Sequence, residues 1–297
     1  MLRTDSMATH TVRHILFPYD FSSQCLEVAP FVRAFAKHFG ARVTLTSVVP
    51  PVFETVPPEM GGPALRAGEV SMEWKRNLQC RLDRALTDEL AGLDVERVAD
   101  SGDPALRIAA FAHGHDVDLV MMPTHGLGLF RSLLMGSVTS KVLHDVRCPV
   151  WTAAHTDTQT APVLPRSVLC AVDETPAGAA LLRYAANFSD SVEASLHVLH
   201  VVEPVSDALE LASERRMQRA ADEAARDALA VALRSAGVNA PLRVFDGDIV
   251  STVAAESRRV NADLVIIGRG TAAAPFGRLR THVFGIVQGS PCPVISV

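Results

Sequence analysis

The segment RHILFPYDFS (Arg13 to Ser22) returns later in the chain as RSVLCAVDET (Arg166 to Thr175), which sets Asp20 on Asp173 at an offset of 153 residues. SGDPALRIAAFAHGHDVDLVMM returns as DGDIVSTVAAESRRVNADLVII, with Gly102 on Gly247 and Asp118 on Asp263 at an offset of 145. RCPVWT returns as PCPVIS at 144. A chain that repeats itself along its length is one fold used twice. The first change of offset spans the Pro/Gly-rich VVPPVFETVPPEMGGPALRAGE and the second falls inside a glycine loop, so both stay out of the regular elements. The repeat predicts a first domain over 11–152, a polar linker over 153–165 (AAHTDTQTAPVLP) and a second domain over 166–297. A length of 297 residues is enough for two separate cores.

Within the first half, short β-branched runs (HILFPY, RVTLTSVV, DVERVA, DLVMM, CPVWT) alternate with longer helical stretches. The latter are CLEVAPFVRAFAKHF, SMEWKRNLQCRLDRALTDELAG, DPALRIAAFAHGH and GSVTSKVLHDV. Asp103 suits an N-cap and Pro104 the first helical position, where no N–H is needed. Strands alternating with helices predict an α/β fold, a doubly wound parallel sheet covered on both faces, in each half. The helices SMEWKRNLQCRLDRALTDEL and SERRMQRAADEAARDALAVAL read as amphipathic packing helices.

Charge and composition narrow the partners. A formal charge of −5 with scattered Lys and Arg gives no source of attraction to nucleic-acid phosphates. No apolar run approaches bilayer length and the start lacks the apolar centre of a signal peptide, so a cytoplasmic location is expected. The five cysteines, Cys25, Cys80, Cys148, Cys170 and Cys292, are odd in number and never at C-x-x-C spacing, which argues against disulfides or a zinc knuckle.

In open parallel sheets ligands sit beyond the carboxyl ends of the strands. The candidates at such ends are Tyr19 and Asp20 after the first strand, Val48 closing the second, and the loop MMPTHGLGLFRSLLMGSV after the fourth. Nine residues separate Gly126 from Gly136, so the loop goes out and returns to open the last helix with Gly136, Ser137 and Val138. Bare N–H groups at a helix start favour an anion, while Ser137 as a mere helix cap is the plainer alternative. His125 projects from the same loop and is read equally as loop-shaping or as a ligand contact. The loop lacks G-x-x-x-x-G-K-[ST], and GLGLFR carries Arg131 where G-x-G-x-x-G needs glycine. Asp118 precedes its strand, at the wrong end for a metal beside phosphates. His113-Gly114-His115-Asp116 and His144-Asp145 read as solvated helix ends.

These features resemble the universal stress protein family in its tandem form, over about Arg13 to Val297. ATP-binding members of that family carry an early strand ending in Asp and a later G-2x-G-9x-G-[ST] loop. Here Gly126, Gly136 and Ser137 match and Pro123 replaces the first glycine. The resemblance implies the adenine nucleotide alpha hydrolase-like fold, a five-stranded parallel sheet in the order 3-2-1-4-5. It implies ATP or a related adenine nucleotide in the first half, with or without Mg. Asp20 and Val48 would flank adenine, Pro123 and Gly126 would lie near ribose and phosphates, and Gly136, Ser137 and Val138 would hold the phosphates. Pro123 offers no N–H, so any amide contact there is lost.

In the second half Asp173, Val201 and Gly268 keep their places, but Thr271 stands where the second glycine belongs and Arg280-Thr281 replaces Gly-Ser. A degenerate second site, with Thr281 in the position of Ser137, is expected. Family members associate through the last strand, so the resemblance also implies pairing of the two halves and a homodimer. No general base or metal ligand stands out for catalysis, which leaves a slow ATPase as a weak alternative. A nucleotide-free scaffold acting through protein partners is the other.

Overall fold

The computed structural model describes residues 12–50, 64–125, 135–153, 164–202, 212–269 and 278–297. The described residues fall into two compact units, 12–153 and 164–297.

The first unit runs β1 (His14–Pro18), α1 (Ser23–Phe39), β2 (Arg42–Val49), α2 (Ala64–Leu82), β3 (Val95–Ser101), α3 (Pro104–Gly114), β4 (Leu119–Pro123), α4 (Ser137–Asp145) and β5 (Val150–Ala153). The strands are parallel in the order β3-β2-β1-β4-β5. β1 and β4 are buried along their whole length, as strands covered on both faces must be. Right-handed crossovers put α1 and α2 on one face and α3 and α4 on the other. The second face packs Ala105, Ile108 and Ala109 of α3 and Val142 and Leu143 of α4 onto Leu16, Val120, Met122 and Val150. The first buries Phe31 against Trp151, with ring centroids 5.1 Å apart.

Helix ends follow local chemistry. Ser22 caps α1 through Cys25 N–H and Gly40, at φ 65°, closes it in the left-handed conformation that glycine adopts without strain. Asp103 caps α3 with Pro104 in its first turn, as the sequence predicts. The stretch read as one helix to Gly92 behaves differently: α2 ends at Leu82 and 83–92 is a run of turns, with Leu86 at φ 53°. Leu82, Leu86 and Leu90 are all buried, so their helical spacing serves a turn run equally well. Side chains hold its carbonyls, Arg33 on Asp88 and Glu89 and Arg97 on Ala85.

The second unit repeats the plan: β6 (Ser167–Ala171), α5 (Pro176–Ser191), β7 (Ser195–Val202), α6 (Ala212–Ser235), β8 (Leu242–Asp246), α7 (Ile249–Arg259), β9 (Leu264–Ile267), α8 (Arg278–Gly289) and β10 (Val294–Ser296). Its parallel order is β8-β7-β6-β9-β10, again 3-2-1-4-5. Asp118 and Asp263 show the repeat at atomic level. Each carboxylate accepts two successive N–H groups at the start of the first strand, Arg13 and His14 at 2.8 and 3.0 Å, Arg166 and Ser167 at 2.9 and 3.1 Å. Both are clasps at the amino end of the sheet.

Candidate functional site

From β1 the chain winds outward through β2 to β3, then crosses back to β4 and β5. Connections leaving β1 and β4 in opposite directions open a crevice at their carboxyl ends, and a cavity of about 880 Å³ lies there. Pro18 at the end of β1, Tyr19, Asp20 and Phe21 after it, and Thr46 to Val49 of β2 line it on one side. Met122, Pro123 and His125 line it from β4, and Met135 through Thr139 from the start of α4. Helix α2 adds Trp74, Asn77, Leu78 and Arg81, and α3 adds Pro104 and Ile108. The first-half candidates Tyr19, Asp20, Val48, Pro123, His125, Gly136, Ser137 and Val138 are thus brought to one cavity. Gly126 lies outside the described residues.

Asp20 is held by the first residues of the turn into α1. Its Oδ1 accepts Ser22 N–H at 3.0 Å and the Cys25 thiol at 3.2 Å. Burial, and then the Asp20 charge, push that thiol up to about 12, so Cys25 stays protonated as a donor to Asp20 and is no nucleophile. Tyr19 N–H donates to Thr46 O at 2.7 Å, carrying the β1–β2 ladder one residue past β1. The Tyr19 ring packs on Phe17 and Phe21, at centroid distances of 5.9 and 4.9 Å. Phe21 itself sits at φ 64°, an outlying conformation for a bulky side chain. The Arg81 guanidinium lies 4.3 Å over its ring and holds it there.

Helix α4 starts at Ser137 with Gly136 as its N-cap residue, and no side-chain cap bond forms. One expectation is corrected here: Gly136 N–H is not open to a ligand, because it donates to Thr124 O at 2.9 Å. Ser137 is the first helical residue and not the cap, so the donors offered at the cavity are the N–H groups of Ser137 and Val138, with the Ser137 hydroxyl beside them. Gly136 is needed for closeness and not for a left-handed φ, which is −56°. A Cβ there would stand 3.2 Å from Thr124 O. Thr139 Oγ1 donates to Pro123 O at 3.1 Å and fastens α4 to the end of β4. Lys141 is engaged outside the cavity, pairing with Asp103 at 2.9 Å. That bond, and after it the one from Leu106 N–H, holds the Asp103 carboxyl below the usual range.

Pro123 is tolerated because of strand parity. The β4 residues that donate to β5 are even-numbered, Val120 to Pro149 O at 3.0 Å and Thr124 to Ala153 O at 3.1 Å. The missing donor of Pro123 therefore faces the β1 side, where the strands end. The Thr124 hydroxyl also donates to Ala153 O, at 3.0 Å, and accepts from His125 Nδ1 at 3.0 Å. With that hydroxyl's one proton on Ala153 O, His125 Nδ1 is the donor of the pair.

The corresponding end of the second unit is built differently. Asp173 Oδ1 accepts the N–H and hydroxyl of Thr175 at 3.2 and 2.5 Å. Tyr19 N–H on Thr46 O and Val172 N–H on Leu199 O put His200 in the place of Ser47 and Val201 in that of Val48. Ser47 lines the first unit's cavity. The buried His200 ring is instead braced between Val172 O, at 2.8 Å from Nδ1, and the Glu174 carboxylate, at 3.3 Å from Nε2. At Gly268 an added Cβ would meet, among the described residues, only Leu181 Cδ2, at 3.6 Å, an ordinary contact. Thr281 lies three residues beyond Arg278, where α8 begins. Its N–H thus falls past the open first turn that Ser137 occupies in α4.

Among the described residues no group of His, Cys, Asp or Glu is placed to hold a metal, and no helix is long and apolar enough to cross a membrane. His144 and Asp145 pair at 2.6 Å on an exposed helix end, and His115 ends α3. None of the five cysteines is in a disulfide. The sequence reading missed the α2 wall, although Trp74, Asn77, Leu78 and Arg81 follow the spacing of one helix face.

The cavity is lined by the first-turn backbone of α4, by apolar and aromatic side chains, and by the Asp20 carboxylate. The model of the universal stress protein family matches residues 11–153 and again residues 165–297. A universal stress protein of Thermus aquaticus is 33% identical over 139 residues, 46% of this chain and 94% of its own length. One from Methanocaldococcus jannaschii is 32% identical over 141 residues, 46% of this chain and 79% of its own. Among solved structures, a universal stress protein from Archaeoglobus fulgidus is similar at TM-score 0.64 and 20% identity, covering 96% of both chains. A Pseudomonas aeruginosa protein gives TM-score 0.63 at 13% identity, over 96% of this chain and 92% of its own; both likenesses show the fold. Because one family model accounts for each half in turn, the chain belongs to the universal stress protein family, in its tandem two-domain form.

Proposed function

We propose that the first domain binds ATP or a related adenine nucleotide in the cavity between β1, β4 and α4, in a stress-response or signalling role with no committed catalytic step. The observation that carries this is the convergence of Asp20, Val48, Pro123 and Ser137, far apart in sequence, on one cavity that ends at an uncapped helix start. Phosphates would accept from Ser137 and Val138 N–H and the Ser137 hydroxyl, favoured by the positive end of α4. Asp20 and Val48 would flank adenine, with Pro123, His125 and Gly126 near the ribose. The described residues hold no metal cluster, so Mg would come with the phosphates and be held mainly by them. His200 in the place of Ser47 favours a second domain without nucleotide. The linker over 153–165, a cytoplasmic location, and pairing of the halves or a homodimer through the last strands complete this reading.

The test is a thermal-shift titration of the full chain with Mg-ATP, ADP, AMP and GTP. A ligand that binds only the native state raises the melting temperature with concentration, by about 2.7 kcal/mol of stability at a hundred times Kd. A saturable shift with adenine nucleotides is the expected result. No shift at millimolar concentration overturns the proposal and leaves the nucleotide-free scaffold.

A further inference from the structure

Helix α2 divides its contacts between two neighbours. Lys75 and Gln79 reach β3, with Lys75 Nζ 3.5 Å from Asp100 and Gln79 bonded to Arg97 O at 2.9 Å and to Ala99 N–H at 2.8 Å. These bonds fix the helix as a wall. Trp74, Asn77, Leu78 and Arg81 line the cavity. Leu78 is buried and Arg81 is pinned over Phe21, so neither is free to adapt to a ligand. Trp74 is different: 49% exposed while lining a cavity, it keeps half of the largest apolar side chain in the wall open. Asn77, three residues on, is exposed and carries both a donor and an acceptor.

Topology gives the wall its occupant. α4 joins β4 to β5 and α2 joins β2 to β3, so the two helices bound the cavity from opposite sides of the β1–β4 crevice. A nucleotide with its phosphates on α4 directs its base away from them, toward β2 and α2. An indole there meets a flat π-system, and a carboxamide pairs with the N6 and N7 edge of adenine but not with the O6 and N7 edge of guanine. We infer that α2 is the base-selecting wall of the site, Trp74 stacking on the purine ring and Asn77 reading its edge in favour of adenine. This rests on the nucleotide reading above.

The chain contains two tryptophans, and the other, Trp151, is 1% exposed against Phe31. A nucleotide-dependent change in intrinsic fluorescence is therefore assigned to Trp74 by its loss in Trp74→Ala, where Trp151 alone emits. Full-length wild type, Trp74→Ala and Asn77→Ala are titrated with ATP and GTP, with affinity measured separately by equilibrium dialysis and folding by circular dichroism. The expected result is quenching by ATP in wild type that is lost in Trp74→Ala, with a Kd roughly 5- to 150-fold higher. Asn77→Ala narrows the ATP over GTP preference by about tenfold while its melting curve stays close to wild type. If dialysis shows ATP bound while Trp74 fluorescence and the Trp74→Ala affinity are unchanged, the α2 wall is overturned and the nucleotide site stands. If dialysis shows no nucleotide bound to wild type, both fall.

Discussion

Replacing Gly136 by valine tests the α4 cradle at its narrowest point. The φ and ψ of Gly136, −56° and 140°, suit any residue, so the change carries no backbone penalty. Its cost is contact: the Cβ lies 3.2 Å from Thr124 O and 3.7 Å from both His125 Cα and Thr139 Oγ1. Thr124 cannot yield easily, since its N–H and hydroxyl both hold Ala153 O. The start of α4 must recoil instead, and it carries Ser137 and Val138 N–H with it. Overpacking of this kind costs about 1–3 kcal/mol, a fall of several degrees in melting temperature. The loss in binding is larger in proportion. A hydrogen bond to a charged group contributes about 1.5–3 kcal/mol, so losing one raises the Kd for ATP roughly 10- to 100-fold. Gly136→Ala, which needs only a few tenths of an ångström of adjustment, should fall between. Isothermal titration calorimetry with Mg-ATP, beside thermal melts without ligand, separates the two effects. Wild-type affinity in a folded Gly136→Val protein would refute the assignment of phosphate to this helix.

Stability should respond to pH through His14 and to packing through Gly178. His14 is buried, with Nε2 2.8 Å from Thr44 Oγ1 and Nδ1 2.9 Å from His115 O, and burial is the main cause that lowers its pKa below the ordinary 6.5. The unfolded chain then takes up this proton first, so the contribution of His14 to stability is complete above about pH 6.5 and declines as pH falls below it. Urea unfolding from pH 8 to 5 should show that slope, reduced in His14→Gln; identical slopes would exclude His14 as its source. Gly178 occupies the repeat position of Cys25, but an added Cβ there would fall onto Asp173 O and lie 2.6 Å from Oδ1. Gly178→Ala should cost about 3 kcal/mol and Cys25→Ala clearly less, measured by denaturant unfolding; a neutral Gly178→Ala would show that α5 moves freely over Asp173.

What the sequence made legible is what depends on order along the chain. Repeat offsets, strand runs and the Asp103-Pro104 helix start prescribed two doubly wound units, and strand ends brought Asp20, Val48 and Pro123 to one crevice. The errors arose where a distant partner decides. Whether Gly136 N–H is open depends on Thr124 O returning beside it, and Leu82, Leu86 and Leu90 show apolar spacing whether the backbone is helix or turn. Helical periodicity marked an apolar face on α2 but not what that face covers, so Trp74 and Asn77 stayed hidden. The offset of 153 already set His200 on Ser47, but that its ring is braced between Val172 O and Glu174 depends on partners the sequence does not order.

Pro123 shows how register settles what a motif leaves open. By the glycine pattern alone, it is a loss at the entrance of the loop. In the sheet it occupies a position of β4 whose N–H faces the β1 side, so the bonds to β5 through Val120 and Thr124 remain. A proline one residue later would remove the Thr124 N–H bond to Ala153 O. It would also remove the hydroxyl that orients His125. The carbonyl of Pro123 is meanwhile the acceptor that fastens Thr139 of α4 to the end of β4. With φ fixed by its ring, Pro123 gives up an amide contact and holds that carbonyl, and with it the start of α4, at one place beside the cavity.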